Sequence, residues 1–292
     1  MKKLILSILF FQFSLISYSQ DTIKEIFEQA IKLKKNGKYQ EALIKYDKVL
    51  LIKPKFVNAL INRANLKSLL NDNSGALTDL NEAEKIDPSE PEIYYNRGNV
   101  EHDITMYEDA IRDYNKAISF KEHEDYYLAR GNSKKAVGEY KEAIEDYSKA
   151  IEINATFKDG YYNRGNTKKK LGDLVGAVED YNKIIKINPK NSKAYTNRGN
   201  AKMAMTDDEG AILDYTTSIE LEPSNPILYS NRAISYGHLK KYELAIKEYN
   251  KSIELNPENP DAFFGRAGIK HYLDDKVGEC EDLKKSADLG FE

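Results

Sequence analysis

An arginine recurs at a nearly fixed interval through most of the chain, within strings such as NRAN, NRGN and GRAG. Successive arginines are 34 residues apart, except for one interval of 33, and they are Arg63, Arg97, Arg130, Arg164, Arg198, Arg232 and Arg266. A fixed period between about 20 and 50 residues is typical of a solenoid, in which each unit packs only on its neighbours. The sequence therefore predicts one array of stacked repeats, although its length of 292 residues would ordinarily suggest two domains.

The prolines set the boundaries of the repeat, because all eight fall at two positions of the period. Proline lacks an N–H and clashes inside a helix, so both positions are expected to lie between helices. Counting from the residue that is proline at 91, 226 and 260, the repeats are residues 23–56, 57–90, 91–123, 124–157, 158–191, 192–225, 226–259 and 260–292. Below, a position is a residue's place within its repeat, so that the arginines occupy position 7.

Each repeat shows two helical patterns. In the fifth repeat, Tyr161, Gly165 and Lys168 recur at steps of four and three, and Ala177 and Tyr181 continue the helical step after a short break. These spacings predict two helices of about 13 residues, here called helix A and helix B. Three repeats place a glycine at position 15, where the end of helix A is expected to need a positive φ: Gly37, Gly138 and Gly172.

This pattern resembles the tetratricopeptide repeat family. The family has an aromatic residue at position 4, a small residue at 8, alanine at 20, an aromatic at 24, a small residue at 27 and proline at 32. The seventh repeat matches with Tyr229, Ala233, Ala245, Tyr249, Ser252 and Pro257, whereas Glu122, Ala155 and Glu279 depart from the pattern elsewhere. The resemblance covers residues 20–292 and implies an all-α, right-handed superhelical solenoid of tandem helix-turn-helix repeats.

A carboxylate accompanies the position-7 arginine wherever that arginine is present. Repeats two to eight carry aspartate or glutamate at position 23, whereas the first repeat has Gln29 and Lys45 at the two positions. Because the arginine and the carboxylate occur together and disappear together, we predict a ladder of structural ion pairs. Its members join the two helices of one repeat or adjacent repeats, and include Arg97 with Asp113, Arg130 with Asp146, Arg164 with Asp180, and Arg198 with Asp214.

Asparagine recurs on helix A, which in the tetratricopeptide family lines the concave groove. The two rows are position 6, with Asn62, Asn96, Asn163, Asn197 and Asn231, and position 9, with Asn65, Asn99, Asn132, Asn166 and Asn200. An asparagine amide offers two donors and an acceptor, which suits it to the backbone of an extended peptide. The rows resemble the asparagine ladder of O-linked N-acetylglucosamine transferases, which holds extended peptides. Alternatively, some of these residues only bridge adjacent repeats.

Tyrosine and lysine side chains beside these rows are candidates for selectivity in the groove: Tyr95, Tyr162, Lys135 and Lys169. Acidic residues dominate the third repeat and lysines the fourth and fifth, which indicates either a charge gradient or ordinary solvated helix faces. No repeat has lysine at position 5. The carboxylate clamp by which some family members bind chaperone tails is therefore not expected.

Other classes of function find little support in the sequence. With one cysteine and four scattered histidines, neither a disulfide scaffold nor a metal site is expected, and Cys280 is expected to pack as a small apolar residue. The net charge of −3 makes nucleic acid a poor partner. No catalytic or cofactor-binding motif is present. We therefore predict a non-enzymatic scaffold that binds a protein or peptide and needs no cofactor or metal. The alternatives are a self-associating structural component of an envelope assembly and, less strongly, a carbohydrate-binding module.

The first nineteen residues have the layout of a secretory signal peptide. Lys2 and Lys3 precede an apolar run from Leu4 to Ile16, and small residues follow at Ser17 and Ser19. The run is short for a membrane span, since a spanning helix needs about 20 apolar residues. The expectation is a bacterial protein that is exported to the periplasm or secreted, with no membrane span once residues 1–19 are removed. An uncleaved signal anchor is the alternative.

Overall fold

A computed structural model describes residues 22–291 of the protein. The predicted signal peptide, residues 1–19, lies outside this range. Within it the regular secondary structure is α-helical, with sixteen helices that follow one another as A and B helices of eight repeats. This confirms the predicted all-α fold of tandem helix pairs. None of the described helices combines the length and the apolar character that a membrane-crossing segment requires.

The helices alternate regularly along the chain. The A helices are α1 (described over 22–35), α3 (Val57–Leu69), α5 (Pro91–Asp103), α7 (Glu124–Ala136), α9 (Lys158–Lys170), α11 (Ser192–Ala204), α13 (Pro226–His238) and α15 (Pro260–Tyr272). The B helices are α2 (Tyr39–Ile52), α4 (Asn73–Ile86), α6 (Tyr107–Phe120), α8 (Tyr140–Ile153), α10 (Leu174–Ile187), α12 (Asp208–Leu221), α14 (Tyr242–Leu255) and α16 (Lys276–Asp288).

The prolines at positions 1 and 32 have different places in the fold. Those at position 32 lie in the loops between repeats, as expected. Pro91, Pro226 and Pro260, however, are the first residues of α5, α13 and α15, so the expectation that position 1 lies between helices is wrong. The first turn of a helix has unpaired N–H groups in any case, which is why proline is tolerated there.

The helices form two compact units, which divide between Glu139 and Tyr140. The first unit holds α1–α7 and the second α8–α16. Within each unit, B helices pack on the A helix of their own repeat and on the next A helix. A helices also contact one another, as α3 does α5 and α9 does α11. Each unit therefore has a surface formed by its A helices, which we call the A-helix surface.

The turn inside every repeat passes through the left-handed region of backbone conformation. Gly37, Gly138 and Gly172 have φ of 73°, 88° and 84°, as their sequence position predicts. The other five repeats place a non-glycine residue at position 15 with φ between 57° and 65°: Asn71, Thr105, Thr206, Lys240 and Asp274. Because this conformation costs an L-residue about 1–2 kcal/mol, packing of the two helices must hold these five turns.

A small residue at position 8 lets helix A approach the position-24 tyrosine of helix B. Tyr114, Tyr181 and Tyr215 are almost completely buried in this place. A Cβ atom on Gly98 would lie 2.7 Å from the ring of Tyr114, which is too close for any side chain there without movement. The alternation of small and aromatic residues in the sequence therefore reflects direct packing between the two helices of one repeat.

Five of the position-7 arginines form bidentate ion pairs with the position-23 carboxylate of their own repeat. In the third repeat, Arg97 Nε and Nη2 donate to the two carboxylate oxygens of Asp113 at 2.6 and 2.9 Å. The same arrangement joins Arg63 with Asp79, Arg164 with Asp180, Arg198 with Asp214 and Arg266 with Asp282. Arg232 donates twice to one oxygen of Glu248. Arg130 and Asp146 lie in different units, and their pairing stays a prediction.

Each of these arginines also reaches the preceding repeat, a contact that the sequence pattern did not reveal. Nη1 of Arg198 donates to Asn182 Oδ1 at 2.6 Å, and Nη1 of Arg164 donates to Ser148 Oγ at 2.9 Å. In both cases the acceptor is the position-25 side chain of the previous B helix. One guanidinium thus connects three helices, which explains why arginine, with its fork of donors, occupies this position rather than lysine.

Cys280 is exposed on α16, so the expectation that it packs as a small apolar residue is wrong. At position 21 of the other repeats the apolar residue is partly buried, as Leu77 and Ile246 are. No described helix follows α16 to cover this face.

Candidate functional site

The predicted binding residues all lie on A helices and are partly exposed. This applies to both asparagine rows and to Tyr95, Tyr162, Lys135 and Lys169. They therefore belong to the A-helix surface of one or the other unit. Their hydrogen bonds, however, divide them into groups with different capacities for a ligand.

The position-9 asparagines are held by buried tyrosines. The hydroxyl groups of Tyr114, Tyr181 and Tyr215 donate to Oδ1 of Asn99, Asn166 and Asn200, at 2.8, 2.7 and 2.7 Å. Burial holds the pKa of these tyrosines far above the ordinary value, so the hydroxyl groups keep their protons and remain donors. Each bond fixes the orientation of the amide, because its oxygen is turned toward the core.

This orientation leaves the amide nitrogen as the group available to a ligand. Within the described residues, Nδ2 of Asn166 and Nδ2 of Asn200 donate to no other protein group. An Nδ2 carries two hydrogens, and either can be donated to a carbonyl oxygen. Asn65 lacks the tyrosine, since Leu80 occupies position 24 of its repeat, and Asn132 belongs to the first cavity, described below.

The position-6 asparagines use their amide nitrogens within the protein. Nδ2 of Asn62, Asn96 and Asn163 donates to the backbone carbonyl four residues earlier on the same helix, at 2.8, 2.6 and 2.9 Å. In the next two cases the donor bridges to the preceding repeat: Asn197 donates to the Tyr162 hydroxyl at 3.3 Å, and Asn231 to Asn200 Oδ1 at 3.4 Å. The position-9 row is therefore the stronger candidate for ligand contact.

A first cavity, of about 310 Å³, opens on the A-helix surface of the first unit. It is lined by Asn99, His102, Asp103, Tyr114, Ala129 and Asn132. His102 Nδ1 lies 2.8 Å from Ser133 Oγ, and burial lowers the pKa of the imidazole. At neutral pH the cavity therefore presents a neutral imidazole, an aspartate and two amides, all of which can form hydrogen bonds.

The two predicted tyrosines have different surroundings. The ring of Tyr95 packs against those of Tyr114 and Tyr126, with centroids 6.1 and 4.8 Å away, so this residue is mainly part of an aromatic cluster. Tyr162 lines a second cavity, of about 200 Å³, in the second unit. Lys158, Lys193 and Asp159 also line this cavity, so that two cations face one carboxylate.

A third cavity, of about 390 Å³, lies between the seventh and eighth repeats. Its lining includes the same repeat positions that line the first cavity in the third and fourth repeats. Ile234 stands at position 9, and Gly265 and Gly268 stand at positions 6 and 9 of the next repeat. Sequence analysis followed the asparagines and missed this site. Its signal was the change from NRGN to GRAG, in which the asparagine rows give way to glycine.

Sequence analysis also missed a buried acid on α5. Position 11 is lysine in several repeats, where Lys67, Lys168, Lys202 and Lys270 approach the ladder carboxylate to within 2.9–3.0 Å. The third repeat has Glu101 instead, and its Oε2 is buried without a hydrogen-bond partner. Burial and the nearby charge of Asp113 raise the pKa of Glu101 to about 7.

Comparisons with known proteins bear on the fold that carries these sites. A family model described as "TPR repeat" matches residues 69–104 and 131–172. Two models described as "Tetratricopeptide repeat" match residues 159–191 and 226–259, and residues 91–123 and 192–225. Together these matches cover more than half of the 292 residues. The chain belongs to the tetratricopeptide repeat family.

Solved tetratricopeptide repeat structures share the fold. The C-terminal part of such a protein from Cytophaga hutchinsonii is 22% identical, with a TM-score of 0.68, over 79% of this chain and 95% of that one. A protein from Parabacteroides merdae is 18% identical, with a TM-score of 0.59, over 91% and 99%. YrrB, described as a TPR protein with an unusual peptide-binding site, is 23% identical, with a TM-score of 0.53, over 67% and 97%. No curated protein matches the sequence.

Proposed function

We propose that this tetratricopeptide repeat protein is a non-enzymatic scaffold that binds an extended peptide segment of a partner protein on its A-helix surface. The observation that carries the proposal is the tyrosine-to-asparagine hydrogen bond in the position-9 row. The tyrosine hydroxyls of the fifth and sixth repeats occupy the oxygens of Asn166 and Asn200. Both amides therefore present fixed N–H donors on one surface.

Fixed amide donors suit the backbone of an extended chain. A peptide that lies along the surface offers carbonyl oxygens at regular intervals, whatever its side chains are, and each accepts a hydrogen bond. Because Asn166 and Asn200 are already oriented by the core, little side-chain entropy is lost when a ligand binds. Side chains around the row in the same unit, including Lys169 and the residues of the second and third cavities, would then select among peptide sequences.

The family relationship supports an interaction role in general terms, since tetratricopeptide repeat proteins are scaffolds for other proteins. The peptide-binding site named for YrrB is a property of that protein. At 23% identity, its likeness to this chain shows a shared fold and no more. The proposal for this chain therefore depends on its own asparagine row.

The test uses two variants that separate peptide binding from protein stability. Replacement of Asn166 and Asn200 by aspartate keeps the oxygen that accepts from tyrosine but replaces the amide donor with a negatively charged oxygen. The matched control is Asn188→Asp with Asn256→Asp. These residues lie in loops between repeats, where their Oδ1 atoms accept from the backbone N–H groups of Lys190 and Glu258. The control therefore changes the charge equally and preserves its own acceptor.

A phage-displayed library of random twelve-residue peptides, selected on the wild-type protein, supplies the probe. The affinity of an enriched peptide is then measured for each variant by isothermal titration calorimetry. We expect the Asn166→Asp, Asn200→Asp protein to bind at least tenfold more weakly than the wild type, and the control to bind equally well. The proposal fails if no peptide is enriched, or if both double variants bind with wild-type affinity.

We also propose that the protein is exported from a bacterial cell, on the strength of the charged, apolar and small-residue segments within residues 1–19. Mass spectrometry of protein recovered from an expressing bacterium tests this. A mature N-terminus at Gln20 in the periplasmic fraction supports export, and an intact Met1 in the cytoplasmic fraction contradicts it.

A further inference from the structure

The third cavity contains a tyrosine whose hydroxyl has lost its usual partner. In the third, fifth and sixth repeats, the position-24 tyrosine donates to the position-9 asparagine of the same repeat. In the seventh repeat, position 24 is Tyr249 and position 9 is Ile234, which has no acceptor. Tyr249 is only 4% exposed, yet within the described residues its hydroxyl forms no hydrogen bond. Burial raises the pKa of Tyr249 to about 12, so the hydroxyl keeps its proton at neutral pH.

The first repeat contains a second tyrosine hydroxyl without a hydrogen bond, and it differs from that of Tyr249 in its access to solvent. Tyr46 also lacks an asparagine partner, because Ile31 occupies position 9 of its repeat. The Tyr46 oxygen is sealed inside the protein and has no contact with solvent. Tyr249, by contrast, lines a cavity of about 390 Å³. A group that enters the cavity can therefore reach the Tyr249 hydroxyl.

Two glycines on α15 create the space. A Cβ atom on Gly265 would lie 2.5 Å from the Tyr249 hydroxyl, so only glycine allows the ring to take this position. At Gly268 a Cβ atom would have no other atom within 4 Å and would project into open space. The two positions carry asparagine in the fifth and sixth repeats. Because glycine replaces both asparagines in α15, a stretch of helix backbone is exposed and forms one wall of the cavity.

Most of the remaining wall is apolar and aromatic. Ile234 and Ile269 face the cavity, and the rings of Tyr242 and Tyr272 stack in parallel beside it, with centroids 5.3 Å apart and an interplanar angle of 1°. Lys240 and His238 also line the site, and His238 Nδ1 lies 2.9 Å from Asp208 Oδ1. Flat apolar walls with one buried hydroxyl suit a planar ring that carries a polar atom at its tip.

We propose that this cavity binds the side chain of a tyrosine from a peptide on the A-helix surface. The ring lies against the bare backbone at Gly268 and the Ile269 side chain, and its hydroxyl exchanges a hydrogen bond with Tyr249. A phenylalanine would leave the Tyr249 hydroxyl unpaired, and a lysine or arginine would bring a second cation to Lys240. That the ring belongs to a peptide rests on the proposed function. The chemistry of the cavity does not depend on it.

The probes are p-cresol, which is the side chain of tyrosine, and toluene, which is the side chain of phenylalanine. Binding of each to the full chain is followed by NMR through changes in the signals of the cavity residues. For a ligand of this size we expect a dissociation constant on the order of 1 mM for p-cresol, and toluene to bind about three- to tenfold more weakly. Failure of p-cresol to bind at 10 mM, on the order of ten times that constant, overturns the proposal.

Two variants locate the binding. Gly268→Leu fills the open space beside the helix, and because leucine is a better helix former than glycine, the protein is expected to fold normally. It should weaken binding of both probes at least tenfold. Tyr249→Phe should remove the preference for p-cresol while toluene binds as before. Tyr46→Phe, the same change at the sealed tyrosine of the first repeat, is the control and should alter neither affinity. Unchanged p-cresol binding by Gly268→Leu, or a preference that survives Tyr249→Phe, contradicts the site.

A final pair of probes separates this inference from the proposed function. The capped tripeptides Gly-Tyr-Gly and Gly-Phe-Gly are titrated in the same way, and the tyrosine peptide is expected to bind at least as tightly as p-cresol. If p-cresol binds in the cavity and the tripeptide does not, the site for a phenol stands and the peptide as its source is wrong. If library peptides bind and p-cresol does not, the proposed function stands and the cavity proposal is wrong.

Discussion

The hydroxyl of Tyr215 donates a 2.7 Å hydrogen bond to Oδ1 of Asn200, which joins the core of the sixth repeat to its outer A-helix surface. Tyr215 is completely buried, whereas Asn200 is partly exposed. The bond therefore has two effects: it satisfies a buried hydroxyl, and it fixes a surface amide in one orientation. Where the asparagine is absent, as at Ile234, the tyrosine hydroxyl is left for another partner.

This contrast predicts different effects of the same substitution in two repeats. Tyr215→Phe removes the 2.7 Å hydrogen bond to the Asn200 oxygen and leaves only the 3.4 Å bond from Asn231 Nδ2, so it should lower the free energy of unfolding by about 1 kcal/mol. Tyr249→Phe removes no hydrogen bond and should change it by less than about 0.5 kcal/mol. Urea denaturation of the full chain measures both values. Equal losses in the two variants would show that the Asn200 bond contributes nothing.

The ion-pair ladder predicts that one arginine is more important than its counterparts. Arg97→Ala leaves the Asp113 carboxylate beside Glu101 and without a cation, and should destabilise the protein by about 3–5 kcal/mol. Arg164→Ala should cost less, because Lys168 Nζ stays 3.0 Å from Asp180. Thermal unfolding of the two variants gives the order. A lower melting temperature for Arg164→Ala than for Arg97→Ala contradicts this account of the ladder.

Glu101 predicts a pH dependence of stability. Its pKa is raised from 4.5 to about 7 in the folded protein, first by burial and then by the charge of Asp113. Between these two values the folded state binds more protons than the unfolded state, so the stabilisation from Glu101 falls as the pH rises from about 4.5 to about 7. Glu101→Lys supplies the cation that five other repeats have at position 11, and should stabilise the protein by about 2 kcal/mol at pH 8.

The comparison of Glu101→Lys with the wild type is made by urea denaturation at pH 5 and pH 8, with Glu101→Gln as the control for loss of charge alone. Both variants should gain more over the wild type at pH 8 than at pH 5. A difference that is the same at both pH values would mean that Glu101 does not titrate in this range.

The left-handed turns predict a stabilising glycine. Thr206 has a φ of 63°, a conformation that is unfavourable for a β-branched residue. Thr206→Gly relieves this strain but gives the unfolded chain more freedom, so the net gain should be about 0.5–1 kcal/mol. The reverse change at the equivalent turn, Gly172→Thr, should lower stability by a similar amount. A destabilising Thr206→Gly would show that the threonine forms contacts worth more than the strain.

The regular features of the molecule could be predicted from the sequence, because each recurs in most of the eight repeats. The helix pairs follow from the period, and a ladder of arginine–carboxylate pairs follows from the joint occurrence of the two residue types. That Arg97 pairs with Asp113 of its own repeat, and not with a carboxylate of an adjacent one, comes from the structure. The two asparagine rows could not be separated in this way, because they lie three residues apart on the same helix. Only the hydrogen bonds distinguish them. Asn96 uses its Nδ2 in a bond to the backbone carbonyl of Glu92, whereas Asn99 accepts from Tyr114 through its oxygen.

Single departures from the repeat were the harder part to predict. Glu101 replaces a lysine that was not recognised as part of the ladder, and the cavity at Gly265 and Gly268 arises from side chains that are missing. A pattern search finds what recurs, whereas these sites depend on what one repeat lacks. Cys280 is a similar case: the equivalent position is partly buried in the other repeats, but Cys280 is exposed.

The central claim is that Asn166 and Asn200 donate hydrogen bonds to a bound peptide. NMR spectra of the ¹⁵N-labelled full chain, with the side-chain amide signals assigned through the aspartate variants, test it directly. Titration with a library-selected peptide should shift the Nδ2 signals of Asn166 and Asn200, while those of Asn188 and Asn256 stay unchanged. Saturating peptide that leaves the Asn166 and Asn200 signals in place would contradict the claim.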